Sequence, residues 1–471
     1  MSGKWRVLSA VACGTFMATL DSSIVNIALP TLTKEFDTDL YRIKWVVIIY
    51  LLVITCMLLP FGRLSDQYGR KRVFQAGFSL FTLGSLLCGM SQGLNWILFS
   101  RVIQGIGASM LMANGPAIIT TTFPSSERGK ALGTLAMVVS AGLVTGPSLG
   151  GLMITAWGWR SIFLVNLPIG ILGVALAQRS IPADPKARTL APFDWAGAIL
   201  QLILLLSFIV VMDPPSISIS GSAAFPMSRW VMGLLTIGFS VLFIKVESEA
   251  KAPLFDLSLM KIRTFWTANL ASFLTFVAYS GLTVLMPFFL EEVMGFSPDK
   301  AGLFMTAIPL TIFVVAPVSG RLSDRLGSRE LSIVGTLVGS IGLFAMAGAF
   351  GIGVHAHVSG VAVILGLCSI GLATGLFQSP NNNAIMGVVP VAKLGVASAL
   401  LATVRNLGLV TGTGLATGIF AWRQKSTGDF VSAMHFTLFF AGAVAFLAMC
   451  ASFGKKGGPN SPDWEVHGPK N

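Results

Sequence analysis

Apolar stretches of about twenty residues recur from one end of this chain to the other. A helix that crosses a lipid bilayer needs roughly 20 mostly apolar residues, and about fourteen windows meet that need. The strands of a membrane β-barrel alternate over about ten residues, so runs of this length exclude such strands. The windows are 7–30, 45–62, 73–91, 95–122, 131–154, 161–178, 193–212, 229–247, 264–290, 301–319, 331–351, 359–379, 395–420 and 433–453. The sequence therefore predicts an all-α polytopic membrane protein.

Composition and the placement of charge agree with this prediction. Hydrophobic residues make up 54% of the chain and charged residues only 11%, whereas soluble domains carry about 25% charged residues. If the helices alternate from a cytoplasmic N-terminus, about 22 of the 32 Lys and Arg residues face the cytoplasm. This positive-inside distribution orients membrane helices, so the net charge of +12 indicates a lipid bilayer, and not nucleic acid, as the partner. An even number of helices places both termini in the cytoplasm.

A charged segment of ten residues, predicted to be a loop between membrane helices, occurs twice in the chain. One copy begins at Gly62 and the other at Gly320, each with the sequence Gly-Arg-Leu-Ser-Asp, and a further glycine follows at Gly69 and Gly327. The first copy separates the second and third predicted helices, and the second copy separates the tenth and eleventh. Such a duplication indicates a transporter built from two related halves. The offset of eight helices predicts two six-helix bundles separated by two additional helices.

This organisation divides the chain into four segments. Residues 1–180 are predicted to form the N-terminal six-helix bundle, and residues 181–263 to form the two additional transmembrane helices with their linkers. Residues 264–453 are predicted to form the C-terminal six-helix bundle. Residues 454–471 carry glycine, proline and charge without apolar periodicity, so a disordered cytoplasmic tail is predicted there.

Three charged residues lie well inside predicted helices: Asp21, Arg101 and Arg405. A charge at the bilayer centre costs at least about 2.5–3.5 kcal/mol on insertion scales, so such residues usually face a cavity or a partner. At a rise of about 1.5 Å per residue, Asp21 and Arg101 lie at a similar depth, roughly 10–14 Å below the outer surface. The sequence predicts that these two residues form an ion pair or share a polar network.

The hypothesis for this pair is that Asp21 binds and releases a coupling proton while Arg101 adjusts its proton affinity. Burial disfavours the ionised form of an aspartate and a neighbouring guanidinium favours it, so their balance sets the affinity. The alternative is a fixed structural ion pair. For Arg405, which is followed by Asn406, two roles stay open: contact with an anionic group or a helix carbonyl end, or holding the two bundles together.

The fifth predicted helix carries small residues around a proline. Small residues four positions apart let helices approach closely, and a proline frees a backbone carbonyl and permits a bend. Close packing alone explains such glycines, but in a helix that lines a cavity they also suit a helix that must rock. The residues are Gly142, Gly146, Pro147, Gly150 and Gly151.

The duplicated segment also has two interpretations. In the mechanical one, Asp66 and Asp324 pair with nearby arginines or cap a neighbouring helix, and so latch the cytoplasmic side. In the other, the segment is only a tight, basic turn that obeys the positive-inside rule. The repetition of the same residues in register favours the mechanical interpretation.

The sequence holds neither a nucleotide-binding P-loop nor a His-Glu-x-x-His zinc motif, so neither ATP-driven pumping nor metal-dependent proteolysis is predicted. The five cysteines lie inside apolar stretches at unrelated spacings and predict neither a disulfide framework nor a metal site. We expect a protein that is not an enzyme and uses no cofactor.

These motifs resemble the major facilitator superfamily over nearly the whole chain, and the fourteen-helix layout resembles its drug:proton antiporter branch. The first copy of the duplicated segment resembles the superfamily's loop motif that controls the conformational change. The stretch from Leu20 to Pro30 resembles the first-helix motif of fourteen-helix members. The stretch from Arg101 to Gly107 resembles the fourth-helix motif that is tied to proton coupling.

Further stretches resemble the same branch: residues 142–151 the fifth-helix motif of antiporters, and residues 157–160, 166–168 and 379–383 other motifs of the branch. The resemblance implies proton coupling through Asp21 and Arg101. The implied conformational loop comprises Gly62, Arg63, Asp66, Gly69, Arg70 and Asp324. The implied substrate or gating contacts are Asn26, Gln104, Asn382, Arg405 and Asn406.

The resemblance implies export of small molecules driven by proton influx, through alternating access of the two bundles, with amphipathic drug-like compounds as substrates. No acidic residue lies well inside a helix of the second bundle, so a dication would find few carboxylates there. Two alternatives stay open: a dedicated proton-coupled exporter of a single metabolite, and a non-transporting membrane receptor or scaffold. The expected location is the plasma membrane, as a bacterial multi-pass inner-membrane protein, and a monomer is expected.

Overall fold

Every regular element in the described part of the protein is a helix. The computed structural model describes residues 3–182, 194–212, 229–249, 257–353, 358–389 and 394–454. A short 3₁₀ segment (Leu257–Lys261) precedes α11, and a π-helical turn (Phe289–Val293) follows it. The α-helices are α1 (Gly3–Glu35), α2 (Leu40–Ile43), α3 (Trp45–Tyr68), α4 (Arg70–Gly89), α5 (Leu94–Thr122), α6 (Ser125–Trp157), α7 (Ser161–Leu164), α8 (Asn166–Ser180), α9 (Trp195–Met212), α10 (Arg229–Glu249), α11 (Arg263–Phe288), α12 (Pro298–Met305), α13 (Ala307–Leu326), α14 (Ser328–Gly353), α15 (Gly360–Gly387), α16 (Leu394–Thr427) and α17 (Phe430–Phe453).

Each predicted apolar window coincides with one of these helices or with a short helix and its successor. Among the described residues, ten helical segments are long and apolar enough to cross a membrane. This finding confirms an all-helical, multi-pass membrane protein. The helices α4, α9, α10 and α16 also coincide with predicted spans but are not among the ten, so a total of fourteen stays a prediction. The predicted tail from residue 455 onward and much of the predicted linkers lie outside the described residues.

The chain forms two compact units. The first comprises Met1–Phe255 together with Thr283–Thr306 and Thr413–Gly418, and so contains the predicted N-terminal bundle and the two additional helices. Within it α1 packs against α5, α6 and α8, α5 packs against α3 and α4, and α9 packs against α10. The second comprises Asp256–Leu282, Ala307–Gly412 and Ile419–Asn471. Within it α14 packs against α15 and α17, and α13 packs against α15.

The two copies of the duplicated segment adopt the same local geometry. In the first, Gly69 has a φ of +101° and its N–H bonds to the Ser65 carbonyl at 2.9 Å. In the second, Gly327 has a φ of +97° and its N–H bonds to the Ser323 carbonyl at 3.0 Å. The sequence motif is therefore repeated in the backbone, as expected for two related halves.

The prediction that these segments are loops was wrong, because both are almost entirely helical. The helix α3 continues to Tyr68 and α4 starts at Arg70, so a single glycine joins the two helices. The second copy likewise changes helix at one residue, between α13 and α14. The apolar pattern marks where a helix leaves the lipid, but charged residues continue a helix readily, so the helix extends beyond its apolar part.

This geometry predicts opposite effects for two glycines of one motif. At Gly69 a side chain would be strained by the positive φ, so Gly69→Ala should destabilise the protein by about 1–2 kcal/mol. Gly62 lies inside α3 with open space around it, so Gly62→Ala should stabilise by roughly 0.5–1 kcal/mol. Equilibrium unfolding of the purified variants in mixed micelles measures both, and equal effects of the two substitutions would contradict the account.

Candidate functional site: a buried carboxylate network

The structure brings Asp21 and Arg101 together in the first unit. Asp21 lies on α1 and Arg101 on α5, and Arg101 Nη1 donates to Asp21 Oδ2 at 2.5 Å. Asp21 is 0% exposed and Arg101 is 1% exposed. Removing one partner of such a pair would leave an uncompensated buried charge, which is far costlier than the pair itself.

Two further side chains donate hydrogen bonds to the same carboxylate. Gln104 Nε2 donates to Asp21 Oδ1 at 2.8 Å, and Asn166 Nδ2 donates to the same oxygen at 3.1 Å. Both amides also donate to Ser85 Oγ, at 3.2 Å from Gln104 and 3.0 Å from Asn166. The carboxylate therefore accepts hydrogen bonds from three side-chain donors on two neighbouring helices, which satisfies a group that can only accept.

The guanidinium of Arg101 is fixed by contacts beyond Asp21. Arg101 Nε donates to the Val46 carbonyl at 3.0 Å, and Nη1 also donates to Gln104 Oε1 at 2.7 Å. Its Cζ lies 4.0 Å from the centroid of the Tyr50 ring, a cation–π contact. A carbonyl, an amide and an aromatic face therefore hold the guanidinium in addition to Asp21.

Close approach of α4 and α5 places the amide of Gln104 beside Asp21. A Cβ at Gly84 would lie only 2.5 Å from the backbone nitrogen of Gln104, and one at Gly107 would meet the backbone of Phe81. These glycines let the two backbones touch, so the side chains of Ser85 and Gln104 reach the centre of the unit.

Glycines also join α1 to α6. A Cβ at Gly146 would collide with the Ser23 side chain and lie 3.1 Å from the Ile24 nitrogen. Gly142 meets Thr19 and Gly150 meets Ile24 in the same way, and Ser23 Oγ donates to the Gly142 carbonyl at 3.3 Å.

The remaining residues of the fifth-helix motif face α12. Gly151 lies against the backbone of Pro298 and Asp299, and Gly302 lies against the carbonyl of Pro147. Thr155, one turn beyond Gly151, has its Oγ1 3.4 Å from Asp299 Oδ1. The cluster from Gly142 to Gly151 therefore packs α6 on α1 with one part and on α12 with the other.

In the duplicated segment, Asp66 pairs with Arg70. Arg70 Nη2 donates to Asp66 Oδ1 at 2.8 Å, and Arg70 Nη1 donates to the Ala117 carbonyl of α5 at 3.3 Å. Lys71 Nζ donates to the carbonyls of Gln178 and Ile181 at the end of α8. This end of the unit is thus tied together by basic side chains that cap carbonyl ends. Arg63 lies half-buried in α3, and the side chain of Asp324 lies outside the described part of the structure.

The predicted substrate or gating residues are divided between the two units. Gln104 belongs to the carboxylate network, while Asn26 lies on α1 with its Oδ1 buried and without a hydrogen bond. Arg405 and Asn406 lie on α16 and Asn382 on α15, in the second unit. Arg405 is half-buried and makes no hydrogen bond or ion pair with any other described residue.

Sequence reasoning missed several members of the site. Ser85, Tyr50 and Asn166 surround the ion pair, although none carries a charge that would attract attention in an apolar helix. It also missed two buried charges at helix ends, Lys44 (0% exposed) and Glu247 (2% exposed). Lys44 Nζ donates to Thr417 Oγ1 at 2.9 Å. For the members of the carboxylate network, the signal available in the sequence was a polar residue inside an apolar run, such as Asn166 at the start of α8.

Comparison with known proteins agrees with this fold. Residues 11–413 match the Major Facilitator Superfamily. The riboflavin transporter RibZ of Clostridioides difficile is 34% identical over 95% of this chain and 97% of its own length. The multidrug resistance protein Stp of Mycobacterium tuberculosis (strain CDC 1551 / Oshkosh) is 31% identical over 88% of this chain and 75% of its own length. The crystal structure of a D-xylose–proton symporter superposes with a TM-score of 0.69 over 96% of this chain and 97% of that chain, at 16% identity, and so shares the fold.

The fold and the site define a multi-pass membrane transporter and not an enzyme. The match over most of its length shows that the chain belongs to the Major Facilitator Superfamily. A putative multidrug resistance protein, MdtD of Pectobacterium carotovorum, is also similar, at 30% identity over 96% of this chain and 95% of its own length.

The ion pair predicts a non-additive pair of substitutions. Arg101→Gln leaves Asp21 as a buried charge without its cation and should cost about 3–5 kcal/mol of stability near neutral pH. Asp21→Asn combined with Arg101→Gln should recover most of that loss, because both partners are then neutral. Equilibrium unfolding in mixed micelles provides the comparison, and a double variant as unstable as the sum of its single variants would refute the coupling.

The helix contacts predict a second matched pair, both in α6. Gly146→Ala forces apart α1 and α6 and should cost about 1–3 kcal/mol. Gly133, in the same helix, has no atom within 4 Å of a Cβ, so Gly133→Ala should be neutral or stabilising. The same unfolding assay measures the stability of both variants. Equal stabilities would contradict a packing role for Gly146.

Proposed function

We propose that this protein exports amphipathic small molecules from the cell in exchange for protons, by alternating access. The observation that carries the proposal is the fully buried carboxylate of Asp21, held by Arg101, Gln104 and Asn166. A charged carboxylate inside a transporter is costly to bury and usually marks an ion or proton pathway. Exchange of a substrate for protons needs a site whose charge changes when a proton binds. Protonation of the Asp21 carboxylate changes the net charge of this network by one unit.

Proton binding at Asp21 loosens this part of the first unit. Protonation removes the charge that Arg101 compensates, and a neutral carboxyl group accepts fewer hydrogen bonds from the surrounding donors. The guanidinium is then held by the Val46 carbonyl, the Gln104 amide and the Tyr50 ring alone. Because α1 carries Asp21 and packs on α6, a change at Asp21 reaches the glycine contacts that join these two helices.

The end of the first unit that carries Glu35 is, in the proposed topology, the outer end. Contacts among the described residues at this end include Lys44 with Thr417, Gly151 with Pro298, and Thr155 with Asp299. The opposite end carries the basic side chains that cap α5 and α8, and we assign it to the cytoplasm by the positive-inside rule. Opening to the outside requires separation of the outer contacts. In this topology both termini are cytoplasmic.

The second unit supplies the argument about substrate chemistry. Its buried polar side chains, among the described residues, are all hydroxyls or amides, such as Asn269, Asn381 and Thr411. The half-buried Arg405 adds a positive charge, and no buried carboxylate accompanies it in the described part of this unit. Such an interior disfavours dications and suits neutral, zwitterionic or anionic molecules with several hydrogen-bonding groups.

This observation favours a second candidate, a dedicated proton-coupled exporter of one metabolite. One relative is named a riboflavin transporter and others are named multidrug resistance proteins, so each candidate function is the named function of a similar protein. A planar, uncharged and hydrogen-bond-rich compound such as riboflavin fits the second unit, whose buried polar side chains among the described residues are hydroxyls and amides, better than a dication does. We further propose a monomer in a bacterial inner membrane that needs no cofactor beyond the proton-motive force.

Inside-out vesicles energised to an acid interior provide the test, with a pH-sensitive dye that reports proton release when a compound is added. Riboflavin, ethidium and a fluoroquinolone should be tested separately. Dissipation of the gradient by wild type but not by Asp21→Asn is expected for the substrate. The matched control is Asp37→Asn, because Asp37 is exposed and its positive φ of 45° suits asparagine equally well.

Each result has a defined reading. Release with ethidium or the fluoroquinolone identifies a drug exporter, and release with riboflavin alone identifies the dedicated exporter. If no compound acts while the protein is folded and abundant, drug export is excluded for that panel. Unchanged exchange by Asp21→Asn would show that Asp21 is not the proton site. The receptor or scaffold alternative predicts no exchange by wild type or by the variant.

A further inference from the structure

The hydrogen bonds around Asp21 fit its ionised form, whereas its protonated form needs an acceptor for the new O–H. In the present arrangement the carboxylate accepts hydrogen bonds from three side-chain donors: Arg101 Nη1, Gln104 Nε2 and Asn166 Nδ2. This arrangement suits an ionised carboxylate, which only accepts hydrogen bonds. A protonated carboxyl group has an O–H that must donate, and a buried O–H without an acceptor is unfavourable.

Most acceptors in the network are already engaged. Gln104 Oε1 accepts from Arg101 Nη1 at 2.7 Å and from Cys88 Sγ at 3.7 Å. Ser85 Oγ accepts from both amides and donates to the Phe163 carbonyl at 2.8 Å. The Val46 carbonyl accepts from Arg101 Nε at 3.0 Å.

One acceptor of the network lacks a partner among the described residues. Asn166 is 0% exposed, so its Oδ1 is shielded from water, and this oxygen receives no hydrogen bond from the described residues. This oxygen belongs to the same amide whose Nδ2 lies 3.1 Å from Asp21 Oδ1. A half-turn about the last side-chain torsion of asparagine exchanges the two atoms, and that torsion is broadly two-fold.

We propose that Asn166 reads the protonation state of Asp21 by turning its side-chain amide. With Asp21 ionised, Nδ2 donates to the carboxylate and Oδ1 has no partner. With Asp21 protonated, Oδ1 accepts the new O–H and Nδ2 takes the place without a partner. One amide atom is unpaired in either state. The turn exchanges the two hydrogen bonds that Nδ2 donates for the one that the new O–H donates to Oδ1. Asn166 is therefore a positioning residue that gives Asp21 a hydrogen-bond partner in both protonation states.

The turn also carries the signal away from Asp21. With Asp21 ionised, Asn166 Nδ2 ties Asp21 to Ser85, and so links α8 to both α1 and α4. After the turn Nδ2 no longer donates to Ser85 Oγ. Protonation of Asp21 thereby alters how α8 is held against α4, which is a route from the proton to helix packing.

The other titratable groups that face Asp21 are accounted for. They are Arg101 on α5, Cys88 on α4 and Tyr50 on α3. Tyr50 OH already donates to the Ala18 carbonyl at 3.2 Å, and the Cys88 thiol contacts Gln104. The ionisable residues of α6 lie in its first turns, at Glu127, Arg128 and Lys130, and α8 contributes Asn166 itself near the site.

The inference rests on the proposed proton site, and infrared difference spectroscopy separates the two. Full-length protein in lipid nanodiscs is labelled with side-chain ¹³C-asparagine, and spectra are recorded across a pH titration. The carboxyl band of protonated Asp21 is identified by its absence from Asp21→Asn. The Asn166 amide band is identified by its absence from Asn166→Leu, or from Asn166→Ser if the leucine variant does not fold.

The expected result is an Asn166 band that shifts with the same midpoint as the Asp21 carboxyl band. Asn114→Leu is the matched control, because Asn114 is equally buried in the same unit, has an unpartnered Oδ1 and lies outside the network. The Asn166 band should survive that substitution unchanged. A purely structural asparagine would give no pH-dependent band.

Two results would overturn the inference in different ways. If the Asp21 band titrates and the Asn166 band stays constant, the amide does not respond and only the inference fails. If no carboxyl band assignable to Asp21 appears at any pH at which the protein is folded, the proton site fails and the inference fails with it.

Discussion

The ion pair between Asp21 and Arg101 constrains the rest of the first unit. A carboxylate and a guanidinium that are both excluded from solvent stay ionised only while they face each other and while their other polar atoms are hydrogen-bonded. That requirement recruits the amides of Gln104 and Asn166, which come from α5 and α8. The positions of α1, α4, α5 and α8 are thus linked by the need to solvate one negative charge. Any event that changes this charge, such as the arrival of a proton, acts on all four helices.

Glycine contacts make that arrangement possible. Asp21 can meet donors from its neighbours because Gly84 and Gly107 let α4 and α5 touch, while Gly142 and Gly146 let α1 and α6 touch. In lipid there is no hydrophobic force that draws helices together, so close backbone packing and buried hydrogen bonds stabilise the bundle. Because glycine has no side chain, no side chains interlock at these contacts, and the helices can shift by small amounts there. The site and the packing that surrounds it therefore belong to one mechanical system, in which the Gly69 junction is the turn between α3 and α4.

Much of this was predictable from the sequence, for reasons that differ among residues. Charges inside apolar helices are rare, so Asp21 and Arg101 were recognisable, and helix rise placed them at one depth. The repeated Gly-Arg-Leu-Ser-Asp segment predicted the two related halves, but not that both segments are helical, since apolar patterns end before helices do. Asn166 was not recognisable as a partner of Asp21, because contacts between distant helices depend on rotation about each helix axis. Lys44 and Glu247 lie at helix ends, where burial depends on what the neighbouring elements cover.

The central claim is that the ionised carboxylate of Asp21 and the transported molecule depend on one another through proton release. The most direct measurement is proton release by the purified protein in weakly buffered detergent solution, followed with a pH indicator while substrate is added. Wild type should release protons when it binds riboflavin or a drug-like compound, and Asp21→Asn should bind without releasing any. Equal release by the two proteins, with binding shown in both, would contradict the account and place the coupling proton elsewhere.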